Sequence, residues 1–286
     1  MVIPSDSGLS RRHILQILAG GAALAAGSRP VLAGDARIGR LIGEAKALPG
    51  IAQRIDFISR ALRGTRYQEY TLIGGPRRAE QFVVRDDAFD CVTFCETVLA
   101  AATAHDIGEF ESSLRAIRYH NGVVAWRERN HYFFEWGQHN VENKTCRAVP
   151  IDGSVDLIKT VYWHRELGRR RFVMRVIPRA TFLANRRLLA NGDIVGFVTQ
   201  RPNLDYFHVG FVAFGGNGEL LLRHASQSRH RVLDERMDHF LTQYRVRYVT
   251  LLRPQEPAAG PVAAKKRHLT KRHAAAALPR AFTSVV

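Results

Sequence analysis

The sequence predicts an α+β protein in which N-terminal helices pack on a small antiparallel sheet. In the first half of the chain, apolar residues recur at three- and four-residue spacing, as they do along one face of a helix. In the second half they fall into short runs bounded by Gly, Asn and Asp, as they do in strands. The composition is that of a globular protein, because 46% of the 286 residues are hydrophobic and 24% are charged.

Five segments have helical periodicity, and four of them precede residue 120. They are residues 38–48, 51–62, 91–104, 109–119 and 180–189. Pro49 and Gly50 separate the first two, which therefore form a helical pair. The segment 91–104 has Glu96 as its only charged residue, so we expect a helix that is buried on most sides.

Five shorter segments are predicted to be strands. They are residues 81–85, 193–199, 208–214, 219–224 and 245–252. The glycine-rich sequence 215–218 predicts a hairpin loop between the third and the fourth. The stretch between residue 119 and residue 180 shows no regular period and is predicted to be irregular.

The first 33 residues have the order of an export signal. Arg11 and Arg12 precede a weakly apolar run at 14–27, and residues 31–33 supply small side chains at a cleavage site. Paired arginines before such a run are typical of the twin-arginine signal. We therefore expect residues 1–33 to be removed and the protein to reach the periplasm or the cell envelope. An N-terminal amphipathic helix that stays attached is the alternative.

Residues 255–286 are rich in Pro and Ala and contain two basic clusters without an apolar period. Such a segment cannot bury enough apolar surface to offset its ordering entropy, so we predict a disordered basic tail. Its six basic residues and one acidic residue give a net charge of +5, and a tether to a polyanion is the alternative role. Residues 34–254 remain as one domain with one core.

The whole chain carries a formal net charge of +16 at pH 7. Such a charge favours polyanionic partners, but nucleic-acid binding would rest on charge alone and is not predicted. The sequence has no phosphate-binding or dinucleotide-binding glycine motif and no long apolar span, so we predict neither a cofactor nor a transmembrane segment. Three cysteines, an odd number, exclude a disulfide framework. The sequence does not indicate the oligomeric state.

Cys91 is the first candidate for chemistry, because it opens a predicted helix directly after Asp90. At a helix N-terminus, free N–H groups and the positive end of the helix dipole favour thiolate over thiol, so we expect a lowered thiol pKa. The same N–H groups can bind a developing oxyanion. Cys95 lies one turn deeper in the apolar stripe and is expected to be structural.

A cysteine nucleophile needs a base, and the base needs a group that orients it. His208 opens one predicted strand and His224 closes the next. If these strands pair through the glycine-rich hairpin, the two imidazoles meet at one edge of the sheet. A single histidine is more often a surface residue or a core residue with its hydrogen bonds satisfied. Together with Cys91, however, the two histidines form a candidate triad.

Four motifs follow one another along the chain: Phe89-Asp90-Cys91-Val92-Thr93-Phe94, Gly192-Asp193-Ile194-Val195, His208-Val209-Gly210 and His224-Ala225-Ser226. This order resembles that of the NlpC-type cysteine peptidases, which are papain-like cell-wall hydrolases. Further matches at Glu96, Arg129-Asn130-His131-Tyr132 and Trp136 resemble one branch, the N-acetylmuramoyl-L-alanine amidase-like family. The resemblance extends over residues 55–253.

The resemblance implies a papain-like NlpC-type fold in which Cys91 is the nucleophile, His208 the base and His224 the orienting residue. It also implies an exported amidase that hydrolyses the N-acetylmuramoyl-L-alanine bond of peptidoglycan or of muropeptides. A stem-peptide endopeptidase of the same fold is one alternative. A non-catalytic envelope-binding module that uses the same cleft is another.

Four residues are assigned to substrate binding, namely Arg129, Tyr132, Trp136 and Glu96. Aromatic faces cover sugar rings, and an arginine binds the carboxylates of a stem peptide in a bidentate manner. The alternative is a loop folded on its own aromatic side chains.

Two other kinds of site fit the sequence less well. Asp86, Asp87 and Asp90 crowd together, but a glycosidase needs two carboxylates at a set separation across a cleft. Cys91 and Cys95 with a histidine could bind zinc, but their spacing within one helix is not a standard zinc motif. We therefore predict no metal site.

Overall fold

The computed structural model describes residues 31–33 and 35–257. The predicted export signal up to residue 30, and the predicted tail from residue 258 onward, lie outside the described residues. The described part of the chain contains seven α-helices. They are α1 (Asp35–Ala45), α2 (Ile51–Ala61), α3 (Cys91–Thr103), α4 (Ile107–Arg118), α5 (Phe133–Glu142), α6 (Arg179–Ala184) and α7 (Met237–Gln243).

The same residues form fourteen strands. They are β1 (Val31–Ala33), β2 (Arg66–Tyr67), β3 (Ile73–Gly75), β4 (Arg78–Gln81), β5 (Val83–Arg85), β6 (Ala88–Phe89), β7 (Cys146–Ala148), β8 (Val155–Val161), β9 (Arg170–Pro178), β10 (Ile194–Val198), β11 (Tyr206–Phe214), β12 (Leu220–Ser226), β13 (Arg231–Arg236) and β14 (Tyr248–Pro254).

Ten strands form one sheet in the order β6-β2-β13-β12-β11-β10-β14-β9-β8, with β7 also paired to β14. Neighbouring strands are antiparallel except β2 and β6, which are parallel. The pairs β1–β5 and β3–β4 lie outside this sheet. The predicted α+β class is confirmed. The predicted small sheet is not, because strands such as β8, β9 and β13, which were not anticipated, enlarge it.

Helices cover both faces of the large sheet, because the side chains of strands such as β10 alternate between two core clusters. Helices α1 to α5 contribute to the first cluster, where the rings of Phe94 (α3) and Phe211 (β11) lie 5.7 Å apart. Helices α6 and α7 contribute to the second cluster, where Phe240 lies 4.6 Å from Phe197. The contact between Phe94 and Phe211 packs the first turn of α3 on β11.

The stretch between residues 119 and 180 was predicted to be irregular, but it contains regular elements. It contains α5, whose buried positions have helical spacing: Phe133, Trp136, Gly137 and Asn140. It also contains the hairpin β8–β9, in which the alternation of β9 is obscured because valine and arginine share the exposed face. In both elements, residue type alone does not reveal which positions are buried.

Residues just outside both predicted boundaries of the domain, 34 and 254, pair with the folded part of the chain. Strand β1, at residues 31–33, pairs with β5 although it falls within the predicted signal. The N–H of Gln255 donates to the carbonyl of Thr145 at 2.9 Å. A carboxylate oxygen of Glu256 accepts the N–H of Ile51 at the start of α2, at 2.6 Å. Within the described residues, no helix is both long and apolar enough to span a membrane.

Candidate active site

Cys91 begins α3 because Asp90 caps this helix. The Asp90 carboxylate accepts the N–H groups of Val92 at 3.0 Å and of Thr93 at 2.8 Å. In return, the Thr93 hydroxyl accepts the N–H of Asp90 at 3.0 Å. This reciprocal capping fixes the first turn of the helix. It therefore holds Cys91, which as a whole residue is partly exposed, at the first helical position.

The pKa of the Cys91 thiol is raised to about 12, chiefly by burial and then by the charge of Asp90. Hydrogen bonds from the backbone N–H groups of Val209, Cys91 and Val92 act in the opposite direction but do not compensate. The expectation of a lowered thiol pKa is therefore wrong. The helix dipole favours the thiolate, but the Cys91 sulfur is removed from water and lies near the Asp90 carboxylate, and both of these favour the thiol.

Three side chains on adjacent strands form a polar chain, and its first member is the neighbour in sequence of a residue that contacts this thiol. His208 directly precedes Val209, whose N–H reaches the Cys91 sulfur. His208 Nε2 lies 2.6 Å from His224 Nδ1, and the two rings are perpendicular, at 89°. His224 Nε2 lies 3.4 Å from Glu235 Oε2. The chain thus runs from the partly exposed His208 through the buried His224 to a carboxylate on β13.

Gly210 allows the two histidines to approach each other. A Cβ atom at this position would lie 2.9 Å from the Cβ of His224 and 2.9 Å from the carbonyl oxygen of Arg223. Since both atoms belong to β12 or are attached directly to it, a side chain here would push the two strands apart. Phe240 of α7 supports both imidazoles from the other side, with ring distances of 5.4 and 5.5 Å.

The thiol and the first imidazole are both neutral at pH 7. Burial, and then the charge of His224, lower the pKa of His208 well below its usual value of 6.5. The nearby His224 is the largest cause that lowers the pKa of Glu235, so this carboxylate is ionised. The resting site therefore contains a thiol and an imidazole rather than a thiolate–imidazolium pair.

Tyr67 is a further polar side chain near the thiol. Strands β2 and β6 are parallel and place Tyr67 opposite Phe89, two residues before Cys91. Burial raises the pKa of the Tyr67 phenol, and the charges of Cys91 and Asp90 raise it further. The phenol therefore stays protonated at neutral pH and is available as a hydrogen-bond donor.

The other two cysteines lie in the core. Cys95 is fully buried one turn after Cys91, and Cys146 is buried at the start of β7. Burial is the first cause that raises the pKa of both thiols. Among residues 31–33 and 35–257, no three histidine, cysteine or acidic side chains are grouped so that they could bind a metal ion. The zinc alternative therefore finds no set of ligands in this part of the chain.

Glu96 does not reach the surface. Its carboxylate accepts the Nε–H of Arg118 at 2.7 Å, and both side chains are 3% exposed. Arg118 also donates to the carbonyl oxygen of Val83 at 2.7 Å. This buried ion pair joins α3 to α4 and β5. The structure thus gives Glu96 a role within the core and not in a substrate groove.

The other three residues assigned to substrate binding are also turned inward. Trp136 is 1% exposed, and its ring stacks on that of Phe133 with 4.9 Å between the ring centres. Tyr132 is 2% exposed, and its hydroxyl accepts a hydrogen bond from the backbone N–H of Trp163 at 2.8 Å. Arg129 lies 3.5 Å from the buried Glu80. Trp136 and Tyr132 are buried and cannot contact a ligand at the surface, and the Arg129 side chain is 12% exposed. This arrangement agrees with the alternative of a segment folded on its own aromatic residues.

Two site residues escaped the sequence analysis. Glu235 lies on β13, where charged residues hide the strand pattern, so nothing in the sequence placed it behind His224. Tyr67 lies on a strand of two residues, which is too short to have a period. The only signal for either residue is its pairing partner in the folded sheet.

A cavity of about 760 Å³ lies away from these residues, between α5, β9 and β14. Phe133, Ile151 and Leu252 are among its lining residues, whereas Cys91, His208 and Tyr67 are not. Its walls are largely apolar. This cavity is therefore separate from the polar chain that begins at His208.

Solved structures with the same fold come from several bacteria. A protein from Legionella pneumophila str. Philadelphia 1 has a TM-score of 0.68 and 21% identity, over 78% of this chain and 95% of its own. An N-acetylmuramoyl-L-alanine amidase from Bacteroides uniformis ATCC 8492 has a TM-score of 0.64 and 22% identity, over 72% and 99%. A protein from Bacteroides fragilis, for which a xylanase activity has been proposed, has a TM-score of 0.59 and 21% identity. At such identities the likeness shows the fold alone.

Sequence comparison is more specific. No curated protein matches the sequence significantly. A family profile, described as AmiA-like and N-acetylmuramoyl-L-alanine amidase-like, matches residues 57–246. The match includes Tyr67, Cys91, His208, His224 and Glu235. The chain therefore belongs to the N-acetylmuramoyl-L-alanine amidase-like family.

Proposed function

We propose that this protein is a cysteine-dependent amidase that hydrolyses the bond between N-acetylmuramic acid and L-alanine in peptidoglycan or in muropeptides. The observation that carries this proposal is the chain from His208 through His224 to Glu235, because the residue after His208 contacts the Cys91 thiol through its backbone N–H. Membership of the amidase-like family supports the substrate and the bond.

The hydrogen bonds in this chain favour one set of tautomers. Glu235 is ionised and lies 3.4 Å from His224 Nε2, so its charge favours a proton on His224 Nε2 and leaves His224 Nδ1 as an acceptor. His208 Nε2 then donates to His224 Nδ1 across 2.6 Å. His208 Nδ1 is left unprotonated, so it is the ring nitrogen that serves as the base.

The reaction begins with transfer of the Cys91 proton to His208 Nδ1 as the sulfur attacks the lactyl carbonyl carbon of N-acetylmuramic acid. The tetrahedral intermediate collapses, the carbon–nitrogen bond breaks, and His208 gives the proton to the leaving amine of L-alanine. A thioester remains on Cys91. Water then attacks the thioester while His208 takes a proton from the water and returns it to the sulfur, which releases the N-acetylmuramic acid carboxylate and restores the thiol.

Glu235 and His224 stabilise the imidazolium that exists between these proton transfers. A carboxylate behind a second imidazole favours positive charge on the pair. Because Cys91 starts from a raised pKa, this stabilisation contributes directly to formation of the thiolate. The thiolate of Cys91 and the imidazolium of His208 therefore form only when substrate is bound.

Two donors are available for the oxyanion. The N–H groups of Val92 and Thr93 are occupied by the Asp90 carboxylate, so the expected set of free helix amides is smaller than the sequence analysis assumed. We assign the role to the N–H of Cys91 and to the hydroxyl of Tyr67, which stays protonated near the sulfur.

The fold and the cellular location complete the proposal. A nucleophilic cysteine at a helix N-terminus, with its histidine on an adjacent strand, fits a papain-like arrangement of the NlpC type. Arg11 and Arg12 support export through the twin-arginine route to the periplasm. Replacement of both by lysine should leave unprocessed precursor in the cytoplasm, and normal processing would argue against this route.

Mass spectrometry of muropeptides incubated with the purified protein tests the scissile bond. The proposal expects two products, N-acetylmuramic acid with a free lactyl carboxylate and a stem peptide with L-alanine at its amino terminus. A shortened stem still attached to the sugar would identify an endopeptidase. Unchanged muropeptides that nevertheless bind the protein would identify a non-catalytic envelope-binding module.

A further inference from the structure

The hairpin β8–β9 forms one end of the large sheet. Strand β8 is the last strand in the sheet order, and β9 lies between β8 and β14. Two strands, β10 and β14, separate this hairpin from β11, which carries His208. The hairpin is therefore a feature of the surface that is separate from the candidate active site.

Exposed apolar side chains concentrate on this hairpin. Among the described residues, eleven large hydrophobic side chains are exposed, and five of them lie between residues 155 and 178. These five are Val155, Ile158, Tyr162, Trp163 and Val173. Single exposed apolar residues are normal on a protein surface, but a cluster within one hairpin marks an interaction site.

The strand register brings apolar and basic residues onto one face. Ile158 lies directly opposite Val173, and the two side chains are 56% and 52% exposed. Arg171 and Arg175 flank Val173 at two-residue spacing, so they lie on the same face of β9. The result is an apolar centre between two guanidinium groups.

The hairpin is strongly basic. Residues 155–178 contain six arginine and lysine residues and two acidic residues. Arg169, Arg170 and Arg171 are all exposed and line a cavity of about 550 Å³ together with Phe134, Glu135 and Phe172. Glu135 lies 3.7 Å from Arg170, and Asp156 lies 3.2 Å from Arg175. Arg169 and Arg171 add positive charge beyond these two ion pairs.

We propose that this hairpin docks the protein on an anionic lipid bilayer. The bilayer interface accepts apolar and aromatic side chains at the level of the headgroups, while lipid phosphates neutralise the arginines. A soluble polyanion would leave Ile158 and Val173 in water. A second copy of the chain would bring the same arginines together across a two-fold axis, where like charges repel.

Vesicle flotation of the full chain tests this proposal. We expect binding to vesicles in which phosphatidylglycerol makes up about a quarter of the lipid, little binding to phosphatidylcholine alone, and weaker binding at high salt. Ile158→Thr with Val173→Thr removes the apolar centre but keeps β-branched side chains. Arg169→Gln, Arg170→Gln and Arg171→Gln remove three charges. Each set should weaken binding by about tenfold or more.

The matched control removes three exposed arginines elsewhere, by Arg77→Gln, Arg78→Gln and Arg187→Gln. This variant should bind the anionic vesicles within about twofold of the unchanged protein. All variants should keep their circular dichroism and their turnover of soluble muropeptides, because the hairpin holds no residue of the candidate active site. Turnover of soluble substrate also separates failure of this proposal from failure of the proposed function.

Three results would overturn the proposal. The first is equal loss of vesicle binding in the control and in the triple arginine variant. The second is unchanged vesicle binding after the two threonine substitutions, together with arginine-dependent binding to heparin, which would identify a polyanion surface. The third is a dimer in solution that the threonine substitutions convert to a monomer, which would identify an interface between copies of the chain.

Discussion

His224 Nε2 lies 3.4 Å from Glu235 Oε2, on the strand next to its own. A carboxylate in this position favours a positive charge on the two coupled imidazoles. His239 Nδ1 lies 2.9 Å from the other oxygen of this carboxylate, Glu235 Oε1, but His239 is on the exposed side of α7. His224 and the exposed His239 thus share one acidic partner, and substitutions can separate the two contacts.

Glu235→Gln should lower kcat/KM about 10- to 100-fold, as loss of a group that orients a base does. It should also move the acid limb of the pH profile to lower pH, because a neutral amide stabilises imidazolium less than a carboxylate does. His239→Gln is the control and should change neither quantity appreciably. An acid limb that stays in place in Glu235→Gln would show that Glu235 has only a structural role.

Alkylation of Cys91 by iodoacetamide should be slow at pH 7 and should keep rising with pH beyond the usual thiol range. The reason is that burial and Asp90 raise the thiol pKa to about 12, so little thiolate exists in the resting protein. The rate is measured by peptide mapping with mass spectrometry. A rate that is high and constant between pH 5 and pH 8, as estimated for a thiolate–imidazolium pair, would contradict the neutral resting site.

Protein stability should fall between pH 6.5 and pH 4. Burial lowers the pKa of His131 to about 4 and that of His208 well below 6.5, so in this window the unfolded chain binds more protons than the folded protein. The contribution is complete above pH 6.5. For His131 the fall amounts to about 3 kcal/mol.

Urea unfolding at pH 7.5 and at pH 4.5 checks this expectation. His131→Gln should reduce the loss of unfolding free energy between the two conditions, whatever it does to stability at pH 7.5. His105 is exposed and lies beside Glu109, so His105→Gln is a suitable control for loss of a histidine. An unchanged pH dependence in His131→Gln would contradict the assigned pKa.

Glu256 should stabilise the fold although it lies in the predicted tail. Gly50 has no side chain to cap α2, and the Glu256 carboxylate accepts the N–H of Ile51 and pairs with Arg54. Glu256→Ala should therefore lower the free energy of unfolding by about 0.5–2 kcal/mol. The exposed Glu44 on α1 provides the control, Glu44→Ala.

Deletion of residues 258–286 should leave the free energy of unfolding unchanged, because this segment has no apolar period. A second deletion, of residues 255–286, also removes Glu256 and should lower the melting temperature. Thermal melts of the two shortened proteins locate the end of the folded part. Equal melting temperatures for both deletions would show that Glu256 does not stabilise α2.

The sequence predicts the helices and strands around the site better than its electrostatics. The helix that starts at Cys91 and the strands with His208 and His224 have clear patterns, so their approach could be anticipated. Burial could not. Trp136 and Glu96 occur in a motif that resembles a substrate site, but residue type does not distinguish an aromatic ring or a carboxylate in the core from one in a groove.

The pKa of Cys91 shows the same limit. A helix N-terminus predicts a lowered thiol pKa, and that effect is short-ranged. Desolvation and the Asp90 carboxylate depend on how closely α3 packs on β11, which no local pattern encodes. Glu235 lies on a strand whose charged residues resemble a loop, so its place behind His224 follows only from the pairing of β12 with β13.

The most direct test of the central claim compares Cys91→Ser with Cys95→Ser, using a muropeptide substrate and release of L-alanine-terminated peptide as the signal. Cys91→Ser should keep the fold and lose about a thousandfold or more in turnover, because a hydroxyl is a far weaker nucleophile at this base. Cys95→Ser should keep most of the activity and lose about 1–3 kcal/mol of stability, as burial of a hydroxyl does. Turnover that survives in Cys91→Ser, or that falls equally in both variants, would contradict a Cys91 nucleophile.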